Sequence, residues 1–390
     1  MTIDPIQLAQ DLIRCPSITP QDAGVMDVLQ GALASLGFTV TRKIFHEDGF
    51  EDTENLYARL GTQAPNLCFA GHTDVVPVGD EAGWRFPPFE PTLHGGHLYG
   101  RGAEDMKGAV ACFVTAVSRF LQESRVQTSE FSEGAFAGSI SLLITNDEEG
   151  IAINGTKKML EWLAQQGEKL DACVVGEPTN PVVLGEMLKV GRRGSLTCTL
   201  SVRGKQGHVA YPELADNPVT HLVAMLHALK SHTLDEGTEF FPPSNLEVTS
   251  IDVGNPAVNV IPAVATAKFN IRFNNLHTGA AIEQWIHDTC KAVNTHYELH
   301  ARLSGEAFLT ENKAFTDVMV AAVQRATGRT PKLSTTGGTS DARFIKDYCP
   351  VVEFGTTGRT PHMVDENVSL DTLMQLTDVY VEMLRGYFSS

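Results

Sequence analysis

The fold of this chain is decided by one stretch, Leu67-Cys68-Phe69-Ala70-Gly71-His72-Thr73-Asp74-Val75-Val76. Its apolar first half follows Pro65-Asn66, and this predicts a buried strand over 66–72. Residues two apart share a face of an extended chain, so the side chains of His72 and Asp74 can lie side by side. A neutral imidazole is a good zinc ligand, and a carboxylate beside it can fix its tautomer. The same pattern also fits an ordinary strand end with a solvated acid.

Two further apolar stretches end in acidic residues. Residues 139–145 predict a buried strand that leads into Asp147-Glu148-Glu149, and residues 172–175 predict another that leads into Gly176-Glu177. Ligand sites of α/β proteins form where strands end, so we expect these acids to meet His72. Because neighbouring side chains diverge, Glu149 can bind a metal while Glu148 faces a metal-bound water.

Two more candidate ligands lie in loops. Asp105 precedes a predicted apolar helix over 108–121, where it could serve only as a helix N-cap. His362 follows a predicted strand over 350–354, where it could be an ordinary loop histidine. Both matter for the site only if the fold brings them to the strand ends.

The complete predicted ligand set is His72, Asp105, Glu149, Glu177 and His362. Nitrogen and oxygen donors without thiolate suit zinc, with cobalt or manganese as substitutes. Five ligands exceed the three of a single catalytic zinc, but they suit two ions if Asp105 bridges. One ion would then use His72 and Glu177, and the other His362 and Glu149. With Glu148 as general base, the chemistry implied is hydrolysis of an amide or peptide bond.

The order of predicted elements indicates two domains. Strands alternating with helices predict an α/β/α catalytic domain with a mostly parallel central sheet, formed by residues 1–193 and 308–390. Residues 194–307 instead follow a β-α-β-β-α-β order, with polar residues alternating with Leu196, Cys198, Leu200 and Val202. That order predicts an inserted ferredoxin-like α+β domain.

Composition narrows the possible partners and location. The chain of 390 residues carries a formal net charge of -17, which disfavours nucleic acid as a partner. The sequence has no run of apolar residues long enough for a membrane helix, and its N-terminus does not have the pattern of a secretory signal. Its seven cysteines are scattered, and we expect buried free thiols in a reducing cytoplasm.

These motifs resemble those of the di-zinc aminoacylase, carboxypeptidase and deacylase family over nearly the whole chain. The segments that carry the resemblance are Gly71–Asp80, Trp84 with Pro87–Phe89, Tyr99–Ala103, Asp105–Gly108, Asp147–Gly150, Gly176–Thr179, Gly191–Ser195, Gly207–Pro212 and Gly337–Asp341. The resemblance implies two Zn²⁺ per subunit, with Co²⁺ as a substitute, and roles for Asp74 in orienting His72 and for Glu148 as base. It also implies a homodimer formed through the inserted domain, which also serves as a lid, with His208 stabilising the oxyanion in the partner's site.

Within this family the chain is most similar to members that remove a succinyl group from a diamino dicarboxylic acid, a small-molecule substrate. The resemblance implies carboxylate recognition by Arg192 and Arg272, and substrate contacts from Asn259 and Thr339. Arg272 could instead be a solvent-facing strand residue. Two other functions stay open: deacetylation of acetylornithine or another N-acyl amino acid, and a non-catalytic zinc-binding dimeric scaffold.

Overall fold

The computed structural model describes residues 2–127 and 136–389. The surface loop predicted over 125–138 falls largely outside these residues. The chain forms two compact units. The first unit comprises Met1–Val190, Thr310–Ser334 and Ser340–Ser390, and the second comprises Gly191–Leu309 and Thr335–Thr339.

The limits of the two units differ by a few residues from the predicted domain limits, both where the chain enters the second unit and where it leaves it. The short strands Gly191–Arg192 and Phe308–Leu309 pair with each other, which places both in the second unit rather than in the catalytic domain. The segment Thr335–Thr339 also groups with the second unit.

The described residues contain nine α-helices: α1 (Pro5–Ile13), α2 (Val25–Ser35), α3 (Lys107–Gln127), α4 (Thr156–Gln165), α5 (Pro218–Ser231), α6 (Gly279–Val293), α7 (Lys313–Thr327), α8 (Ala342–Ile345) and α9 (Leu370–Phe388). Within the same ranges the strands are β1 (Thr39–Phe45), β2 (Thr53–Leu60), β3 (Asn66–His72), β4 (Thr92–His94), β5 (His97–Tyr99), β6 (Ser139–Thr145), β7 (Ala172–Val175), β8 (Met187–Lys189), β9 (Gly191–Arg192), β10 (Gly194–Arg203), β11 (Gly207–His208), β12 (Asn245–Asp252), β13 (Val260–Ile261), β14 (Val264–Phe273), β15 (Tyr297–Gly305), β16 (Phe308–Leu309), β17 (Lys332–Ser334), β18 (Val351–Glu353) and β19 (Asn367–Ser369). None of the described helices is long and apolar enough to span a bilayer.

Several helices begin at side chains that cap their free backbone N–H groups. Asp4 accepts a hydrogen bond from the Ile6 N–H at the start of α1, and Ser369 does the same for Thr372 at the start of α9. The C-terminus of α7 is closed by Gly328 in the left-handed conformation, with φ of 72°. These local contacts set where the helices begin and end.

The first unit is built on an eight-stranded sheet in the order β1-β2-β6-β3-β7-β18-β8-β17. Strand β3 pairs in parallel with β6 on one side and with β7 on the other, and β18 is parallel to β7. Every residue of β3, β6 and β7 is buried, as expected for central parallel strands. The mixed sheet confirms the predicted α/β class and places the carboxyl ends of four strands at one edge.

An aromatic cluster packs α3 and α9 against the central strand β3. The rings of Phe69 and Phe113 stack with centroids 4.4 Å apart, and Tyr380 meets both rings edge-on at 5.7 Å. The buried Tyr380 hydroxyl donates to the carbonyl oxygen of Phe354 at 2.6 Å, so its polar atom is satisfied. This packing fixes the strand that ends in His72.

The second unit contains an antiparallel four-stranded sheet in the order β12-β14-β10-β15, with α5 and α6 packed against it. Strand β10 alternates buried and partly buried residues, and Leu196, Cys198 and Leu200 face a core that includes Phe269 and Ile286. The chain order β10-α5-β12-β14-α6-β15 in this sheet confirms the predicted ferredoxin-like arrangement.

Candidate metal centre

The predicted ligands follow strands that share one edge of the central sheet. His72 is the last residue of β3, Glu149 follows β6, and Glu177 follows β7. His362 lies in the loop after β18, and Asp105 lies two residues before the start of α3. Because β3, β6, β7 and β18 run in parallel pairs, their carboxyl ends bring these residues to one place.

Glycines on two of the strand ends make room for the residue that follows Asp105. A methyl group added to either Gly71 or Gly176 would overlap the buried side chain of Met106. The recurring order of apolar strand, glycine and polar ligand therefore has a packing cause. The two glycines let the Met106 side chain pack against the ends of both β3 and β7, next to Asp105 in the chain.

The His72 imidazole is enclosed and oriented from one side. Its Nδ1 lies 2.9 Å from the carbonyl oxygen of Asp74 and 3.5 Å from an oxygen of the Asp74 carboxylate. The backbone carbonyl therefore makes the shorter contact, and as an acceptor it places the proton on Nδ1. In the neutral ring this leaves the lone pair of Nε2 available to a metal ion, and Nε2 faces Asp105 at 3.3 Å and Glu177 at 3.7 Å.

Asp105 lies between two imidazoles. One carboxylate oxygen is 3.3 Å from Nε2 of His72, and the other is 3.5 Å from Nε2 of His362. Glu149 approaches the same His362 nitrogen at 2.7 Å. Acceptance of hydrogen bonds by the Asp105 and Glu149 carboxylates favours the charged imidazole and raises the pKa of His362 to about 10, although burial lowers it. The two oxygens of the Asp105 carboxylate thus face different imidazoles, those of His72 and His362.

The Asp74 carboxylate also shapes the loop after β6. It accepts hydrogen bonds from the backbone N–H groups of Glu148 and Glu149, at 3.3 and 3.1 Å. Asp74 is fully buried, and burial raises the pKa of its carboxyl to about 6 despite the nearby His72. Asp74 therefore ties the loop that carries Glu148 and Glu149 to the end of β3.

Glu148 lies among other acids. Ligand atoms of Glu148, His72 and Glu177 lie within 4.8 Å of one another. Burial raises the pKa of Glu148 well above its usual value, and the negative charges of Asp341, Glu149 and Asp105 add to the effect. Asp341, the last residue of the Gly337–Asp341 motif, was not predicted to act at this site. Only its place in that motif could have indicated it.

The residues at this edge fit a divalent metal ion. Among the described residues, Nε2 of His72 and Oδ1 of Asp105 are buried atoms without a hydrogen-bond partner. Several carboxylates crowd together at the same place, an arrangement that is costly unless a cation neutralises it. The donor set of imidazole nitrogen and carboxylate oxygen suits zinc and its substitutes. The first unit therefore holds a candidate metal site.

The predicted substrate residues lie in the second unit and form two groups. Nη1 of Arg272 is 3.3 Å from the Thr339 hydroxyl. Arg192 is buried, and its guanidinium donates to the carbonyl oxygens of Thr336 and Gly338 at 3.3 and 2.8 Å.

The other group is the pair of short strands that carries His208 and Asn259. His208 in β11 pairs with Val260 in β13, and the Asn259 carbonyl accepts the Val209 N–H at 3.1 Å. The His208 side chain is exposed, and its Nδ1 accepts the Ala210 N–H at 3.0 Å. Those contacts fix the imidazole on the surface of the second unit.

Known proteins resemble this chain in sequence and in fold. The profile described as peptidase family M20/M25/M40 matches residues 68–386. A succinyl-diaminopimelate desuccinylase of Rhodospirillum centenum is 58% identical, and the alignment covers 100% of this chain and 98% of the relative. A succinyl-diaminopimelate desuccinylase of Parvibaculum lavamentivorans is 54% identical, with coverage of 99% and 96%.

The crystal structure of an M20 family metallo-carboxypeptidase from Sulfolobus solfataricus has the same fold. Its TM-score is 0.78 at 17% sequence identity, and the match covers 99% of this chain and all of that one. Both kinds of similarity extend over nearly the full length. The chain therefore belongs to peptidase family M20/M25/M40.

Proposed function

We propose that this protein is a hydrolase that cleaves the amide bond of N-succinyl-LL-2,6-diaminopimelate, releasing succinate and LL-2,6-diaminopimelate for lysine and diaminopimelate biosynthesis. The observation that carries the proposal is the full-length similarity, above 50% identity, to relatives named for this activity. The metal site at the sheet edge supports it, because amide hydrolysis at neutral pH needs an activated water.

We assign two zinc ions per subunit to the site, with cobalt as a substitute. One would be held by His72 and Glu177, the other by His362 and Glu149, with Asp105 between them. The support is the placement of the two Asp105 oxygens toward different imidazoles. When bound, such a pair polarises the substrate carbonyl and lowers the pKa of a shared water.

The protein's own side chains then move the proton and orient the site. Glu148 takes the proton from the attacking water and passes it to the leaving amine nitrogen. Burial raises the pKa of Glu148, which makes its carboxylate a stronger base toward the proton of the attacking water. Asp74 keeps both the His72 ring and the Glu148 backbone in place.

Recognition of the substrate carboxylates is assigned to the second unit. The guanidinium of Arg272 beside the Thr339 hydroxyl offers several donors for a carboxylate. Arg192 is assigned to the same recognition, and its guanidinium also contacts the 336–338 turn through the carbonyl oxygens of Thr336 and Gly338. Asn259 is assigned a further substrate contact.

We further propose that the protein is a cytoplasmic homodimer joined through the second unit. His208 would then stabilise the oxyanion in the site of the partner subunit. Its exposed position supports a role toward another chain. The seven free cysteines are consistent with a reducing compartment.

The decisive assay compares two substrates with the metal-loaded protein. N-succinyl-LL-2,6-diaminopimelate should be hydrolysed much faster than acetylornithine, with release of succinate. Faster hydrolysis of acetylornithine would move the assignment to a deacetylase. No hydrolysis of either, with metal bound, would favour a scaffold without catalytic activity.

A further inference from the structure

One arginine of the first unit is enclosed although the proposed chemistry does not use it. The side chain of Arg101 is 2% exposed, and its Nη1 lies 2.8 Å from Oε2 of Glu366, which is 1% exposed. A buried charge without a partner is very costly, so each of these residues requires the other. Such a pair adds little net stability to the fold. Its role is therefore sought in the other groups that the two side chains contact.

The second oxygen of Glu366 holds the backbone beside a proposed ligand. Oε1 accepts the N–H groups of Glu104 and Asp105, at 3.0 and 3.1 Å. Hydrogen bonds to a carboxylate are stronger than those between neutral groups, so this pair fixes the backbone that carries the Asp105 side chain.

Arg101 holds the loop of the other proposed ligand. Its Nη1 donates to the carbonyl oxygen of Met363 at 3.1 Å, and its Nη2 lies 3.5 Å from the carbonyl oxygen of His362. The same Nη2 lies 3.5 Å from the carbonyl oxygen of Pro77, in the segment that follows His72. The rigid guanidinium fork is therefore in contact with two loops that carry proposed ligands.

Trp84 encloses the pair from the side. The guanidinium lies over the Trp84 ring, with 5.0 Å between the Arg101 carbon and the ring centroid. The indole N–H donates to the carbonyl oxygen of Val78 at 3.0 Å, and the residue is 9% exposed. Trp84 thus packs in the interior and limits the positions open to Arg101.

We propose that the Arg101–Glu366 pair is a positioning element that fixes Asp105 relative to His362 and thereby sets the metal affinity on the His362 side. Glu366 fixes the backbone of Asp105, and Arg101 fixes the loop of His362. The ion pair therefore sets the distance between the Asp105 backbone and the His362 loop. This inference rests on the metal centre of the proposed function but not on its substrate.

The test is a titration of the metal-free protein with Co²⁺. Binding is measured by calorimetry and by the visible absorption of bound cobalt. The main variant is Arg101→Met combined with Glu366→Gln, which leaves no unpaired charge and keeps an acceptor for the Asp105 N–H. Arg119→Met is the matched control, because Arg119 pairs with Asp378 on the surface of the same unit at 2.9 Å. His362→Ala identifies which binding step belongs to the His362 side.

We expect the double variant to lose about 10–100-fold in affinity at the His362 step, with an altered cobalt spectrum, and to lose clearly less at the other step, where His72 and Glu177 remain in place. The control should match the wild type at both steps. If the double variant fails to fold by circular dichroism, Arg101→Lys should show the same selective loss, because a lysine lacks the fork.

Wild-type affinity at both steps in a folded variant would overturn the positioning role. Equal weakening of both steps would overturn it as well, because the pair would then act on the whole site. If the wild-type protein bound no cobalt, the metal centre itself would fail, and this inference with it. Correct cobalt binding without hydrolysis of the succinylated substrate would refute only the substrate assignment.

Discussion

Replacing Glu148 with glutamine separates its proposed role as base from a role as metal ligand. Glutamine keeps the shape of the side chain and the backbone N–H that donates to Asp74 at 3.3 Å. It removes the oxygen that would accept the proton of the attacking water. A positioned general base contributes about 10²–10⁴-fold to rate, or about 3–5 kcal/mol, so turnover should fall by that factor.

The same substitution removes one negative charge from a crowded acidic cluster. Because burial and neighbouring acids raise the pKa of Glu148, the metal-free Glu148→Gln protein should melt no lower than the wild type. Steady-state kinetics, calorimetric metal titration and thermal melting would measure these effects. Glu161→Gln, on the exposed face of α4, is the control for the change from acid to amide.

Two outcomes would refute this reasoning. Normal turnover would remove Glu148 from the chemistry. Loss of one metal ion together with turnover would make Glu148 a ligand, which its closeness to His72 and Glu177 makes a real alternative.

Three further predictions concern pH, the core and the dimer. Metal-free protein should lose stability as pH rises from about 6.5 to about 10, because the charged form of His362 is favoured in the folded state up to its pKa of about 10. His362→Ala should flatten that slope in urea melts, and an unchanged slope would show that another group titrates. Phe113→Ala should lower the free energy of unfolding by about 3–5 kcal/mol, measured with urea, because it removes the ring that stacks on Phe69 and leaves a cavity. A loss below about 1 kcal/mol would mean that neighbouring side chains move into the cavity, and that the stack contributes little to stability. Mixing His208→Ala with Glu148→Gln subunits should restore roughly a quarter of the wild-type sites, because half the dimers become hybrids with one intact site. No recovery after verified subunit exchange would contradict action across the dimer.

The sequence predicted the sheet edge well because its signals are local. Each buried strand is a continuous apolar run, and each of three such runs ends near a potential ligand. Parallel pairing of β3, β6 and β7 then brings His72, Glu149 and Glu177 together. Such a pattern can be seen in a single sequence because strand and ligand are adjacent in the chain.

Long-range contacts could not be predicted in the same way. Arg101 and Glu366 are 265 residues apart, and neither has a neighbour in sequence that indicates the pair. The guanidinium of Arg192 donates to the carbonyl oxygens of Thr336 and Gly338, which are 144 and 146 residues away in the chain, and no local pattern indicates these contacts. Contacts of this kind depend on how loops meet in space.

Short elements were missed for a different reason. Strands β4, β5 and β19 form a small sheet of their own, and β8 and β17 extend the central sheet. Each has three residues, which is too few to show a period of two. Their pairing is decided by the elements around them.

The most direct measurement is anomalous scattering from crystals of the protein loaded with zinc or cobalt. We expect two peaks about 3.5–4 Å apart, one on each side of the Asp105 carboxylate, with His72 and His362 on different ions. A single peak, or peaks that do not contact both imidazoles, would contradict a shared two-metal centre at the strand ends.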